Sequence, residues 1–226
     1  MVFESDSVKL YKQYRAEGRD MINKIMAPCL KGLNMPKAAR RMGLPVVGKT
    51  IVVEDETDMY ALTDFCLHEK LDGLQSLLDR ADPTTLELSP MQMEFFQAHR
   101  QARSSLYEAL TVNKANSAVK MRDLLFPGQP EVLLTDIGFS DSPWQNKVQV
   151  LIFIRLLRIK DLNVTSGFFF AFNPALKTRL LKIYQREIKF VPEPEVDWQR
   201  FAIFYRLHRK WSLAQTNQAE MQYRDV

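Results

Sequence analysis

Cysteine is almost absent from this chain: there are two among 226 residues, Cys29 and Cys66, and no C-x-x-C pair. That excludes a disulfide framework and a cysteine-built zinc site, and it fits a reducing, cytoplasmic setting. Long hydrophobic runs are missing as well. The most apolar stretch, Val148 to Leu157, already contains Arg155 and is far shorter than the roughly eighteen residues of a membrane span. The opening residues, Met-Val-Phe-Glu-Ser-Asp-Ser, bring early acids and no apolar segment, so neither a secretory signal nor a membrane partner is expected. No internal repeat and no low-complexity linker interrupts the chain.

What is present is an ordinary globular composition. Hydrophobic residues make up 46% and charged residues 26%, enough apolar surface for a core that needs no metal or disulfide. The net charge is only +4, but it is unevenly spread. Residues 1–49 carry ten basic and four acidic side chains, residues 50–95 two basic and eleven acidic, and residues 140–189 nine basic and three acidic. Such asymmetry suits a polyanionic partner, and it equally suits acidic and basic parts packing on each other.

Helical signals dominate the first half. Ser7 to Met26 has apolar positions Val8, Tyr11, Tyr14, Met21, Ile22 and Ile25 at helical spacing. Pro36 to Met42 reads as a short helix opened by Asn34 and closed by Gly43. Lys49 to Val53 is a β-branched run. Glu54, Asp55, Glu56 and Asp58 then crowd the start of a helix expected to reach Asp79, where carboxylates complement the helix dipole. Ser89-Pro90 opens a further helix, expected to end near Ser104.

Five β-type runs follow: Leu106 to Val112, Ala118 to Leu125, Val132 to Ser140, Val148 to Ile159 and Leu162 to Phe172. Short strands at even spacing predict a closed or nearly closed antiparallel barrel. Asn173-Pro174 introduces a basic helix to about Lys189, and Val196 to about Gln215 forms a last, aromatic-rich helix. The expected fold is therefore α+β: a mainly helical region over 1–105 with a short strand near 49–53, then a five-stranded barrel-like domain with two packed C-terminal helices over 106–226, forming one compact unit. Continuous apolarity makes Val148 to Leu157 a central strand covered on both faces. Arg155 inside it requires an ionic partner or an exposed barrel end. Asp123 and Asp136 are the candidate partners.

Gly43-Leu44-Pro45-Val46-Val47-Gly48-Lys49-Thr50 matches the phosphate-binding loop pattern G-x-x-x-x-G-K-T letter for letter. That loop works between a strand and the start of a helix. Here a helix-like segment, Lys37 to Met42, precedes it and the strand former Ile51-Val52-Val53 follows. Gly43, Gly48, Lys49 and Thr50 are accordingly not read as a nucleotide site. Lys37 to Leu44 also resembles the first helix of a helix-turn-helix, but Pro45 follows where a recognition helix should begin.

Cys66-Leu67-His68 points two ligand types to different sides of a helix, and His99 and His208 lie far off in sequence. No catalytic residue, metal ligand or cofactor is expected. The strongest functional lead is the stripe Arg179, Lys182, Arg186 and Lys189, opposite Leu176, Leu180, Ile183, Tyr184 and Ile188. Phosphate backbones reward such a stripe through counterion release, although many surface helices carry a solvated cationic face.

The β block resembles a module of uncharacterised bacterial cytoplasmic proteins, some with SEC-C-type metal-binding tails. The likeness rests on Val119 to Leu125, Leu134 to Ser140, Leu151 to Arg155 and Asn163 to Phe168, with Asp64-Phe65 upstream, and spans about residues 35–185. This chain has no cysteine-rich tail, so no zinc role carries over, and the resemblance implies no activity. Three functional classes follow in order. The first is a non-enzymatic intracellular binding protein for nucleic acid or another polyanion. The second is a protein-interaction or scaffolding factor, and the third an enzyme of unsuspected type.

Overall fold

The computed structural model describes residues 6–29, 33–70, 75–141 and 150–212. Its first helix, α1 (Asp6–Cys29), buries Val8, Tyr11, Tyr14, Met21 and Ile25 along one stripe, as their spacing demands. Gly18 lies where α1 meets Phe95, and a Cβ there would stand 2.2 Å from the ring. Helix α2 (Met35–Met42) starts where the Asn34 side chain accepts from the Lys37 amide and stops at Gly43, which is left-handed at φ 108°. Strands β1 (Val46–Val47) and β2 (Thr50–Ile51) pair as a hairpin. Helix α3 (Glu56–His68) is capped by Asp55, which accepts from the Asp58 amide. Capping boxes at Ser76/Asp79 and Ser89/Gln92 start α4 (Leu77–Arg80) and α5 (Pro90–Gln101).

The β block forms β3 (Arg103–Asn113), β4 (Ala118–Asp123), β5 (Val132–Thr135), β6 (Leu151–Ile159), β7 (Leu162–Thr165) and β8 (Phe170–Phe172), with the one-turn helix α6 (Ile137–Asp141) after β5. Five strands close in the order β3-β4-β5-β7-β6 and back to β3. Every seam of this ring is antiparallel except β5–β7, which is parallel at the single pair Leu134↔Asn163. The barrel is therefore mixed. The Asn163 side chain reinforces the seam by donating to the Leu133 carbonyl at 3.0 Å. Strand β8 joins the free stretch of the β6 edge, from Leu151↔Phe172 to Phe153↔Phe170. Helices α7 (Lys177–Ile188) and α8 (Val196–Trp211) pack on each other, and α8 lies against β8 and β3.

Strand β6 organises both cores. Its even positions Ile152, Ile154 and Leu156, with Val150 just before the strand, join Val119, Met121, Leu134 and Phe139 inside the barrel. Its odd positions Leu151, Phe153, Leu157 and Ile159 join Phe65, Phe96, Phe201 and Phe204 under the helices. Alternation with both faces buried is what a continuous apolar strand encodes. The helix-side cluster draws on α1, α2, α3, α5 and α8 as well as the sheet, so one apolar core runs through residues from both halves of the chain.

Several elements differ from their expected bounds, each for a local reason. The Val132 to Ser140 run ends at Thr135, because the Asp136 carboxylate accepts from the Phe139 amide at 2.9 Å and turns the chain into α6. The Leu162 to Phe172 run breaks into β7 and β8 around Gly167, at φ 133°. Helix α3 stops at His68 rather than near Asp79, because Glu69 turns extended (ψ 137°) and reaches Arg155. Helix α5 ends at Gln101, since Arg103 to Ser105 already pair with β6. Residues 213–215, the expected end of the last helix, lie outside the described residues.

Candidate functional site

Arg155 has its partners, and they are not Asp123 or Asp136. The side chain projects from β6 towards α3, where Nε donates to Asp64 at 2.9 Å and Nη2 to Glu69 at 2.5 Å. All three side chains are buried. Burial opposes the guanidinium charge, but the two carboxylates override it and hold its pKa above the ordinary arginine value. Burial pushes the Glu69 carboxyl up while Arg155 pulls it down. Asp123 instead accepts from Ser105 Oγ at 2.6 Å and from the Leu125 and Phe126 amides. Asp136 engages Thr165 and Arg15 of α1.

This ion cluster continues into a histidine pair. His68 Nδ1 lies 2.9 Å from the Asp64 carbonyl oxygen, which only accepts, so Nδ1 carries the proton. His68 Nε2 lies 2.9 Å from His99 Nδ1. Burial lowers both pKa values well below 6.5, with Arg155 acting in the same direction on His68, so both rings are neutral. His99 Nδ1–H then donates to His68, which leaves His99 Nε2 as a bare lone pair. That atom is buried without a partner among the described residues, beside a cavity of about 80 Å³ rimmed by Lys70, Ser76, Asp79 and Arg100. A buried acceptor left so costs about 1–3 kcal/mol unless a donor of water size occupies the cavity. Neither histidine was linked to the other by sequence spacing; the turn of α3 towards α5 brings them together.

The four cations of α7 stand as their spacing predicts. Arg179, Lys182, Arg186 and Lys189 are all exposed, while Leu180 and Tyr184 are buried on the opposite side. Aromatic rings flank both ends of the stripe. The Arg179 guanidinium lies 4.3 Å from the half-buried Trp211 ring, and Lys189 Nζ lies 5.1 Å from Phe190, which is 84% exposed. Among the described residues Arg186 meets Glu187, at 3.7 Å. The aromatics of β8 and α8 instead serve the core: Phe170, Phe172, Trp198, Phe201, Phe204 and Tyr205 are buried.

The segment Gly43 to Thr50 runs from a helix cap into the β1–β2 hairpin, with Gly48 at φ 61° and exposed Lys49 in its turn. Arg40 donates to the Gly48 carbonyl at 2.9 Å. A strand thus stands where a phosphate-binding loop would begin a helix. Cys66 is a buried free thiol whose pKa burial raises to about 12, with Sγ 3.7 Å from Met35 Sδ; the Cys29 side chain lies outside the described residues. Among the described residues no three His, Cys, Asp or Glu side chains converge as a metal site, and no helix is long and apolar enough to cross a membrane.

Fold and surface together define an α+β protein built on a closed mixed barrel, with a cationic helix on its exterior. The chain belongs to a family of unknown function, DUF7986, whose model matches residues 5–217. No curated protein matches the chain, and neither does any solved structure.

Proposed function

We propose that this protein binds single-stranded nucleic acid through the outer face of α7, without itself catalysing a reaction. One observation carries the reading: four exposed cations on a single helical stripe, with Phe190 and Trp211 at its two ends. Cations neutralise phosphates, and accessible rings stack on bases of any sequence. The reading keeps the protein inside the cell, in keeping with a buried free thiol at Cys66, and keeps the bacterial kinship suggested by the barrel strands.

Fluorescence anisotropy with labelled single-stranded RNA and DNA tests it. Binding should weaken with salt at a logarithmic slope of about −3 if all four cations meet phosphates. Changing Arg179, Lys182, Arg186 and Lys189 to glutamate should abolish it, and Phe190→Ala should weaken it about fivefold or more. Binding that survives the four changes would refute the assignment.

A second reading, a protein-interaction surface, draws on Val47, Met59 and Tyr60, which are 72%, 48% and 60% exposed around the hairpin and the start of α3. It predicts a partner or self-association insensitive to salt and lost on Tyr60→Glu, as size-exclusion chromatography with light scattering would show.

A further inference from the structure

The open mouth of the barrel between β3 and β6 holds a cleft of about 420 Å³, lined by Gln101, Arg103, Tyr107, Gln129, Leu156 and Arg158 among others, with no carboxylate among the described lining residues. That volume lies in the range of small-molecule sites, which commonly occupy barrel mouths. Register explains how the two arginines reach it. Arg103 pairs with Leu156 across the β3–β6 seam, and Leu156 and Tyr107 both face the barrel interior. Because side chains alternate along a strand, Arg103 shares the face of Tyr107, and Arg158 shares that of Leu156. The two guanidinium groups therefore crown the interior face where its apolar lining ends.

Both arginines are exposed, and neither has a carboxylate within ion-pair distance among the described residues. Arg103 is pre-positioned: its guanidinium carbon lies 3.3 Å from the centre of the Phe126 ring, whose surroundings also include Arg200 at 5.1 Å. Stacking of this kind leaves the in-plane N–H groups available for a ligand. Arg200 is already committed to Asp197 and Tyr184. Asp123, which pairs with Tyr107 across the β3–β4 seam and hydrogen-bonds with its phenol, is committed as well to Ser105 and to two backbone amides. Burial, then the Asp123 charge, raises the Tyr107 pKa, so the phenol stays neutral and adds no negative charge to the wall.

We infer that this cleft binds a small phosphate monoester, the phosphate lying between the Arg103 and Arg158 guanidinium groups and the rest of the molecule extending over Leu156 towards Gln101 and Gln129. Two planar, forked donors match the geometry and the double charge of a phosphate better than those of a carboxylate. The site is separate from the α7 stripe and stands or falls on its own.

Isothermal titration and NMR titration with inorganic phosphate, AMP, adenosine and acetate at low salt provide the test. Phosphate and AMP should bind, AMP at least as tightly, and adenosine and acetate should bind at least tenfold more weakly or not at all. Arg158→Ala, at an exposed position that the fold tolerates, should weaken AMP binding at least tenfold, and Arg103→Lys should do so to a similar extent. The protein with glutamates at the four α7 positions should bind AMP as the wild type does, so loss of nucleic-acid binding and loss of this site are told apart. Absence of phosphate and AMP binding, acetate binding as tight as phosphate, or affinity unchanged by Arg158→Ala would each overturn the assignment.

Discussion

Arg155 and Arg158 sit three residues apart on β6 and meet opposite fates. Arg155 is buried under α3 with two carboxylates on its donors, whereas Arg158 stands exposed at the barrel mouth with no acid lining its cleft among the described residues. A guanidinium removed from water must bring its counter-charges with it, so the first arginine organises the fold. One left at an open rim keeps its donors, so the second is free to meet a ligand. The same contrast separates the carboxylates: Asp64 and Glu69 are held inside by Arg155, while exposed Asp55 and Glu56 serve the cap and the dipole of α3.

The comparison breaks most visibly at Arg155. Arg155→Met should cost about 3–5 kcal/mol of stability in urea denaturation, because two buried carboxylates lose their cation. Replacing Asp64 and Glu69 by leucine in the same chain should recover most of that loss. If the single change is tolerated as well as a surface substitution, the two arginines do not differ as claimed.

Acid gives the next largest effect, again on buried groups. Burial lowers His208 to about 4, against the upward pull of Asp55 and Asp58, while the unfolded chain takes up that proton near the ordinary value of about 6.5. The unfolded state thus binds more protons between these values. Stability is full above pH 6.5 and is lost as pH falls towards 4. His68 and His99, also lowered by burial, act in the same direction. His208→Phe, which keeps a ring against Phe170 at the 4.7 Å stack, should reduce the acid loss by on the order of 1–3 kcal/mol between pH 7 and pH 4.5. An unchanged acid loss in that variant would remove His208 from the account.

The smallest effect belongs to Arg158. Arg158→Ala should change the stability measured in urea denaturation by less than about 0.5 kcal/mol, as expected of an exposed side chain away from caps and cores. A larger cost would mean that Arg158 holds the fold together and is not a reserved donor.

How much of this was legible in the sequence follows from the range over which each feature acts. Helix caps at Asn34, Gly43 and Ser89 involve neighbours three or four residues away, and they stand as read. The two covered faces of β6 follow from apolar residues at both its odd and its even positions, and the stripe on α7 from its period. The need for an Arg155 partner was also legible, because a charge cannot be buried alone. Its identity was not: Asp64 and Glu69 lie 91 and 86 residues upstream, and only the packing of α3 on β6 brings them near. Arg103 and Arg158 meet for the same kind of reason, since nothing short of the β3–β6 register places them at one rim. A parallel seam was implied by the strand count, because a closed ring of five strands cannot reverse direction at every boundary; which boundary carries it, β5–β7, was not legible in the strands' own residues.

That seam has a consequence for how the barrel moves. A ring joined along several rungs at every boundary but one will part first where a single rung holds, here Leu134 with Asn163 and the amide clasp onto Leu133. Amides along β5 and β7 should exchange with solvent well before those shared by β3 and β6. The molecule then behaves less like a sealed tube than like a bracelet with a fastener, able to admit water to its lumen while its long seams stay shut.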